Sequence, residues 1–158
     1  MPAIEAAPAP ADAVTEDAIR GGLLRLRQPA KGLRTGIDPV VLAAAAPSIK
    51  GRALDLGCGV GTAALCLARR LPEVEVTGLE LQPALTGLAR ENVRLNGLEG
   101  RVTIHEGDLL RPPPVIAAGG FDLVLANPPF HAAGSATAPA EPGRAQGHME
   151  GEADLAAW

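Results

Sequence analysis

Hydrophobic and polar positions along this chain change period repeatedly, which predicts strands and helices in alternation. Short segments whose pattern predicts strands lie at 52–56, 74–80, 101–108 and 121–126, and the last of these is the most continuously apolar. Between them, apolar residues at helical spacing predict helices over 62–71 and 84–97, which end at Pro72 and Gly97. Strands that alternate with helices in this way predict a parallel α/β sheet with helices on its faces.

The part of the chain before the first strand has a different pattern. Residues 1–18 are rich in proline, alanine and acidic residues, which predicts a disordered leader. Residues 21–29 alternate and predict an extended segment, and a short apolar helix should follow with Asp38 as its cap and Pro39 in its first position. We therefore predict a leader (1–18) and one domain (19–158), divided into an extension (19–50), a core (51–130) and a loop (131–152).

The composition supports a single globular domain and indicates the cellular compartment in which the protein folds. The 158 residues are 47% hydrophobic, enough for one core, and no apolar run approaches the roughly 20 residues of a membrane span. We expect a cytoplasmic protein. Cys58 and Cys66 would lie roughly 12 Å apart along a helix, beyond disulfide reach. The three histidines are scattered without ligand spacing, so we predict no metal site.

A basic segment interrupts a chain whose net charge is -4. No acidic residue occurs between positions 18 and 37, whereas Arg25, Arg27, Lys31 and Arg34 all fall there. A solvated basic face explains such a run on charge alone. A surface that contacts the phosphates of a nucleic acid is the sharper hypothesis.

The first predicted strand runs into a glycine-rich turn, "DLGCGVG". Asp55 ends the strand, and Gly57, Gly59 and Gly61 follow at every second position before the helix. Glycine adopts positive φ and has no Cβ, so a ligand can approach the backbone there. Dinucleotides and S-adenosylmethionine both bind such turns. The spacing, with Thr62 where a dinucleotide site prefers a small residue, favours the sulfonium cofactor.

Two further acidic residues follow predicted strands and should reach the same sheet edge. Glu80 ends the second strand, where its two oxygens could accept hydrogen bonds from both hydroxyls of a ribose. That contact alone does not separate NAD from S-adenosylmethionine. Asp108 follows the third strand, where it either accepts a hydrogen bond from the amino group of adenine or serves as an ordinary turn residue.

The fourth predicted strand ends abruptly at Asn127, Pro128, Pro129 and Phe130. The carboxyl ends of parallel strands converge, so Asn127 should lie beside the glycine turn. The Asn127 side-chain carbonyl and the Pro128 carbonyl could accept both hydrogens of a planar amino group and let its nitrogen pyramidalise. The prolines restrict the backbone and Phe130 could stack on a flat base. The alternative is that these residues only end the strand.

Together, "DLGCGVG" and "NPPF" resemble the class I S-adenosylmethionine-dependent methyltransferases of the small-domain group with an N-P-P-Y/F motif. Within that group, "KGLRTGIDPVVLAAAAP" is most similar to bacterial enzymes that methylate the adenine 6-amino group beside the anticodon of a valine tRNA. The resemblance implies a Rossmann-like fold that here ends after its fourth strand. It also implies cofactor contacts at the glycine turn, Glu80 and Asp108, catalysis by Asn127 to Phe130, and an RNA substrate.

The chain departs from the group at two positions and leaves the substrate open. Ile37 stands where the group often has Thr, and Phe130 where it often has Tyr. The motif is also similar to that of ribosomal-RNA guanine 2-amino and release-factor glutamine methyltransferases. A dinucleotide oxidoreductase and an inactive nucleoside-binding fragment are the alternatives from other classes. The sequence does not indicate the oligomeric state.

Overall fold

The computed structural model describes residues 13–31 and 34–128, which contain a small hairpin and one parallel sheet with its helices. The elements in chain order are β1 (Val14–Ile19), β2 (Leu24–Pro29), α1 (Asp38–Ala45), β3 (Gly51–Leu56), α2 (Thr62–Arg70), β4 (Val74–Glu80), α3 (Pro83–Leu95), β5 (Val102–Glu106), α4 (Pro114–Ala117) and β6 (Leu123–Ala126). A 3-10 turn, Arg20–Gly22, joins β1 to β2. Nowhere in this described part is a helix both long and apolar enough to cross a bilayer.

The main sheet is parallel, with its strands in the order β5-β4-β3-β6. Successive strand residues face opposite sides, so Ala53 and Val76 join α2 and α3 in the main core while Leu54 packs with Ile116 of α4 on the other side. This architecture confirms the predicted α/β class. Among the described strands β6 lies at one edge of the sheet, and Val124 on it is 53% exposed.

Helix α2 lies at the centre of the main core. Every residue from Thr62 to Ala68 is buried, because α1 and β2 pack against α2 in addition to the strands of the main sheet. The helix contains the small residues Ala63, Ala64 and Ala68, which allow neighbours to approach from several directions. Cys58 and Cys66 are both buried free thiols, consistent with the prediction that they do not pair.

The amino-terminal region differs from the prediction. Residues 14–18, assigned to a disordered leader, form most of strand β1, which pairs antiparallel with β2. The sequence did not indicate a strand because the half-buried positions of β1 include the polar residues Thr15 and Asp17. Residues 1–12 lie outside the described residues. The extended segment predicted over 21–29 is confirmed for its part in β2.

Two smaller predictions also need correction. Helix α1 begins at Asp38 instead of after it, and Ile37 occupies the cap position without a side-chain hydrogen bond. The segment between β5 and β6, for which no helix was predicted, contains α4, whose Ile116 is buried. Three consecutive prolines precede and begin this helix, which fits the preference of proline for the first turn.

Candidate functional site

The carboxyl ends of the parallel strands bring the candidate residues to one edge of the sheet. Leu56, the last residue of β3, pairs with Ala126, the last residue of β6. Gly57 and Asn127 are the next residues of these two neighbouring strands. The register therefore places Asn127 beside the start of the glycine turn, although the two lie far apart in the sequence.

The glycine turn uses the backbone conformations for which glycine is suited. Gly57, Gly59 and Gly61 have φ values of 63°, 56° and 88°, in the left-handed region that strains other residues. A Cβ added to Gly59 would meet no atom within 4 Å, so one side of the turn is open. This geometry confirms the conformational reason that the sequence suggested for the three glycines.

The carboxyl end of strand β4 is hydrogen-bonded to the glycine turn. The Cys58 N–H donates to the Leu79 carbonyl at 2.9 Å, and the Gly59 N–H donates to Glu80 Oε2 at 2.8 Å. Gly78 makes this approach possible, because a Cβ there would lie 2.8 Å from the Cys58 Sγ. The conformation of the turn therefore depends on β4 as well as on its own glycines.

Glu80 is buried, with 6% of its surface exposed. Its second oxygen accepts the Gln82 N–H at 2.9 Å. Burial raises the pKa of Glu80, and the backbone hydrogen bonds oppose this only in part. Each carboxylate oxygen has a further lone pair, so the two oxygens can still accept hydroxyls. The predicted contact with a ribose remains a prediction.

Asp55 is 2% exposed, and its Oδ2 accepts the Ala64 N–H at 3.1 Å in the first turn of α2. Burial, with a smaller contribution from the charge of Glu80, raises the pKa of Asp55 to about 7. Within the described residues, no lysine or arginine forms an ion pair with Asp55 or Glu80. Two buried carboxylates in this setting suit a ligand that brings a positive charge and several hydroxyls.

The remaining candidate acid has a local role in the structure. Asp108 follows β5, and its Oδ1 accepts the Leu110 N–H at 2.9 Å, while its Oδ2 lies 3.5 Å from the Arg111 guanidinium. These bonds are typical of a turn residue. The predicted contact between Asp108 and adenine remains a prediction.

The structure describes only part of the predicted catalytic motif. Asn127 and Pro128 are half-buried at the end of β6. Pro129 and Phe130 lie outside the described residues. Asn127 and Pro128, which would accept an amino group, thus lie at the carboxyl end of the sheet, and the stacking of Phe130 on a base remains a prediction.

The fold neutralises much of the basic segment. Arg25 and Arg27 both form ion pairs with Glu16 of β1, and Arg27 also lies 3.4 Å from Glu91 of α3. The two guanidiniums lower the pKa of Glu16, Arg27 contributing first. The sequence suggested an unopposed basic run because these acidic residues lie outside it.

The end of the basic segment approaches the glycine turn. Arg34 pairs with Asp17 at 3.0 Å and also donates to the Pro29 carbonyl, while Lys31 is exposed. Thr35, the next residue after Arg34, contacts the Thr62 hydroxyl at 2.7 Å, directly after Gly61. Arg34 therefore lies on the part of the extension that reaches the site, whereas the roles of the four basic residues in binding remain predictions.

The family model for the methyltransferase small domain matches residues 38–141. The chain belongs to this family. The matched segment includes the glycine turn, both buried carboxylates and Asn127 to Phe130. Membership confirms the resemblance that the two motifs indicated.

Curated relatives of this methyltransferase small domain carry a specific name. The tRNA1(Val) (adenine(37)-N6)-methyltransferase of Porphyromonas gingivalis is 39% identical over 105 residues, which cover 62% of this chain and 41% of that protein. The protein of the same name from Yersinia pestis is 38% identical over 105 residues, covering 63% and 41%. The chain therefore spans about two fifths of the length of these relatives.

Solved structures support the fold. TYW2 of Pyrococcus horikoshii, in complex with MeSAdo, matches with a TM-score of 0.55 at 23% identity, over 65% of this chain and 39% of that one. A predicted O-methyltransferase from Agrobacterium tumefaciens matches with a TM-score of 0.50 at 30% identity, over 58% and 49%. Both likenesses support the α/β fold.

One residue that contacts the glycine turn was not identified from the sequence. Asn92 of α3 is fully buried, and its side chain donates to the Val60 carbonyl within the glycine turn at 3.0 Å. The available signal was an asparagine inside a helix, where its propensity is low, with Asn96 one turn later. That spacing places both asparagines on one helix face.

Proposed function

We propose that this chain binds S-adenosylmethionine at the carboxyl edge of its sheet and takes part in methyl transfer to a planar exocyclic amino group. The observation that carries the proposal is the pairing of Leu56 with Ala126, which puts Asn127 beside the glycine turn. A cofactor held at that turn and an amine held at Asn127 would be neighbours.

The residues at the turn fit this cofactor. Asp55 provides a buried negative charge for the ammonium group, and Glu80 provides two oxygens for the ribose hydroxyls. The open side of Gly59 leaves room for the ligand against the backbone. When bound, the cofactor supplies a methyl group activated by a positively charged sulfur.

The chain's part in the chemistry is to hold the amine. A conjugated amino group is a poor nucleophile because its lone pair is delocalised. The Asn127 side-chain carbonyl would accept one N–H and the Pro128 carbonyl the other, which favours a pyramidal nitrogen. The nitrogen can lose its proton to water after it has reacted, so no strong base is needed. Positioning and electrostatics account for the rate.

We propose adenine N6 in tRNA as the acceptor, which also implies that the protein acts in the cytoplasm. The support is the name shared by the relatives from P. gingivalis and Y. pestis, together with the match of the catalytic motif. Phe130 of that motif would stack on the adenine. Guanine N2 in ribosomal RNA and the glutamine of a release factor are the competing acceptors for the same chemistry.

Transfer of a tritiated methyl group to total tRNA, ribosomal RNA and release factor tests the proposal. We expect label in tRNA, abolished when adenine N6 is already methylated. Label only in ribosomal RNA or protein would overturn the acceptor and leave the amine chemistry intact. Calorimetry with S-adenosylmethionine and NAD tests the cofactor separately, since binding of NAD alone would contradict the site assignment. Cofactor binding without transfer would show that this chain lacks the activity by itself.

A further inference from the structure

Asn92 uses its whole side-chain amide inside the protein. It lies fully buried in α3, and its Oδ1 accepts the Arg27 N–H at 2.7 Å. Its Nδ2 donates to the Arg27 carbonyl at 2.8 Å and to the Val60 carbonyl at 3.0 Å. One side chain thereby joins strand β2, helix α3 and the glycine turn.

Asn96 makes the same pairing one helical turn later but does not contact the glycine turn. Its Oδ1 accepts the Arg25 N–H at 2.9 Å, and its Nδ2 donates to the Arg25 carbonyl at 2.7 Å. Helix residues four apart and strand residues two apart are both separated by roughly 6 to 7 Å, so the two amides match alternate residues of β2. The other N–H of Asn96 goes to the carbonyl of Asn92, at 2.8 Å.

The contact with Val60 falls where the backbone has most freedom. Val60 stands between Gly59 and Gly61, both of which have positive φ, and is itself 5% exposed. Glycine-rich backbone is held in one conformation by its contacts more than by its own preferences. A buried carbonyl that lost its donor would also be costly, so the turn would rearrange to satisfy it.

We propose that Asn92 is a positioning residue for the glycine turn, which it holds in the binding conformation by fixing the Val60 carbonyl to α3 and the hairpin. The inference rests on the proposed function, since S-adenosylmethionine is the ligand that the turn would hold. It assigns the amino-terminal hairpin an indirect role in shaping the cofactor site, because Asn92 bonds Arg27 of β2 and Val60 of the glycine turn with the same side chain.

Asn92→Ala and Asn96→Ala form a matched pair in the 158-residue chain, because both remove the same two bonds to β2. Both should lower the melting temperature. We expect Asn92→Ala to weaken S-adenosylmethionine binding by about ten-fold and Asn96→Ala by less than about two-fold. Equal losses in the two variants would overturn the proposal, because they would show that hairpin packing alone explains the effect.

Amide hydrogen exchange provides a readout that needs no cofactor. The Gly61 N–H donates to the Cys58 carbonyl at 2.8 Å within the turn. Its exchange should accelerate in Asn92→Ala and stay unchanged in Asn96→Ala. An unchanged rate in folded Asn92→Ala would contradict the proposal whatever ligand the turn binds.

Asn92→Asp is a second variant that controls for the cavity left by alanine at this buried position. The carboxylate has the same shape and can accept the Arg27 N–H, but has no N–H for the Val60 carbonyl. Folded Asn92→Asp should repeat the accelerated Gly61 exchange. If both Asn92 variants are unfolded, the residue is structural and the proposal is wrong. Asp55→Ala distinguishes a failure of the proposed function from a failure of this inference. Unchanged cofactor binding in Asp55→Ala would refute the cofactor site itself. Weaker binding in Asp55→Ala together with intact binding in Asn92→Ala would refute only the role of Asn92.

Discussion

The carboxylate of Glu80 accepts the backbone N–H of Gly59 at 2.8 Å, so a side chain at the end of β4 is bonded directly to the glycine turn. Glu80 thereby has two tasks: it holds the turn and it presents oxygens at the open edge of the sheet. Any substitution at Glu80 should affect both the shape of the site and its contacts with a ligand.

We expect Glu80→Ala to weaken S-adenosylmethionine binding by about 1 to 3 kcal/mol, because it leaves the Gly59 N–H without its partner and removes the acceptor for the ribose. Glu106 is a matched control, since it pairs with Glu80 on the neighbouring strand but is exposed. Calorimetry should show a much smaller change in Glu106→Ala. Similar losses in both would indicate a general electrostatic effect.

Asp55 should make the ligand-free protein less stable as the pH rises. Its folded pKa of about 7 lies above the ordinary value of 3.8, so the folded state holds a proton that the unfolded state releases. This contribution is fully present below about pH 4 and is lost as the pH rises towards 7 and above. Thermal melts from pH 4 to 8 should show a decline that Asp55→Asn flattens. A parallel decline in Asp55→Asn would contradict this account.

The same titration should affect ligand binding in the opposite direction. The negative form of Asp55 attracts a cationic ligand, so the affinity for S-adenosylmethionine should increase as the pH passes through about 7. Calorimetry in buffers with different ionisation heats would detect the proton released on binding. Release that is unaltered in Asp55→Asn would assign the effect to another group.

Asn127→Ala should lower turnover more than it changes cofactor affinity. The Asn127 carbonyl matters most while the amine pyramidalises, and binding of the cofactor alone does not need it. The measurements are kcat, KM for the acceptor and Kd for the cofactor, with Asp55→Ala as the contrasting variant. Equal losses in turnover and cofactor affinity would show that Asn127 is structural.

Gly78→Ala should destabilise the fold by about 1 to 3 kcal/mol, because the added methyl would lie 2.8 Å from the Cys58 Sγ and 2.7 Å from the Ile104 Cδ1. Gly87 in α3 is the control, since a Cβ there meets no atom within 4 Å. Gly87→Ala should stabilise by roughly 0.5 to 1 kcal/mol. Denaturant unfolding distinguishes the two, and a partial rescue of Gly78→Ala by Cys58→Ala would identify the clash.

Because Arg25 and Arg27 are paired with an acid in the hairpin, removal of that acid should change RNA binding. Glu16→Gln removes the acid that neutralises Arg25 and Arg27, so it should increase RNA affinity at low salt if these arginines contact phosphate. Arg27→Gln should reduce the salt slope by roughly 0.7 for a single-stranded target. Glu75→Gln, at an exposed position near the start of β4, is the control of equal charge. An effect of the same size in Glu75→Gln would show that only net charge matters.

The sequence by itself determined the alternation of strands and helices and the position of the glycine turn. These features depend on local periodicity and on the few residues able to adopt special backbone conformations. Strand β4 was predicted with its observed bounds, Val74–Glu80, because Val74 and Val76 alternate with polar residues and Pro72 precedes it. The convergence of Asp55 and Asn127 also followed, since parallel strands must end at the same edge.

Only the tertiary structure decided what lies around those residues. The hairpin strand β1 was missed because its polar inward positions are satisfied by partners elsewhere, such as Gln28, which donates to Asp17 at 2.7 Å. Ion pairs with Glu16 and Glu91 offset the charge of the basic segment, and Asn92 makes three hydrogen bonds inside the protein. Each of these features depends on contacts between residues that are distant in the chain. A local sequence pattern does not report the energies of such contacts, because burial and pairing arise only once the elements have packed.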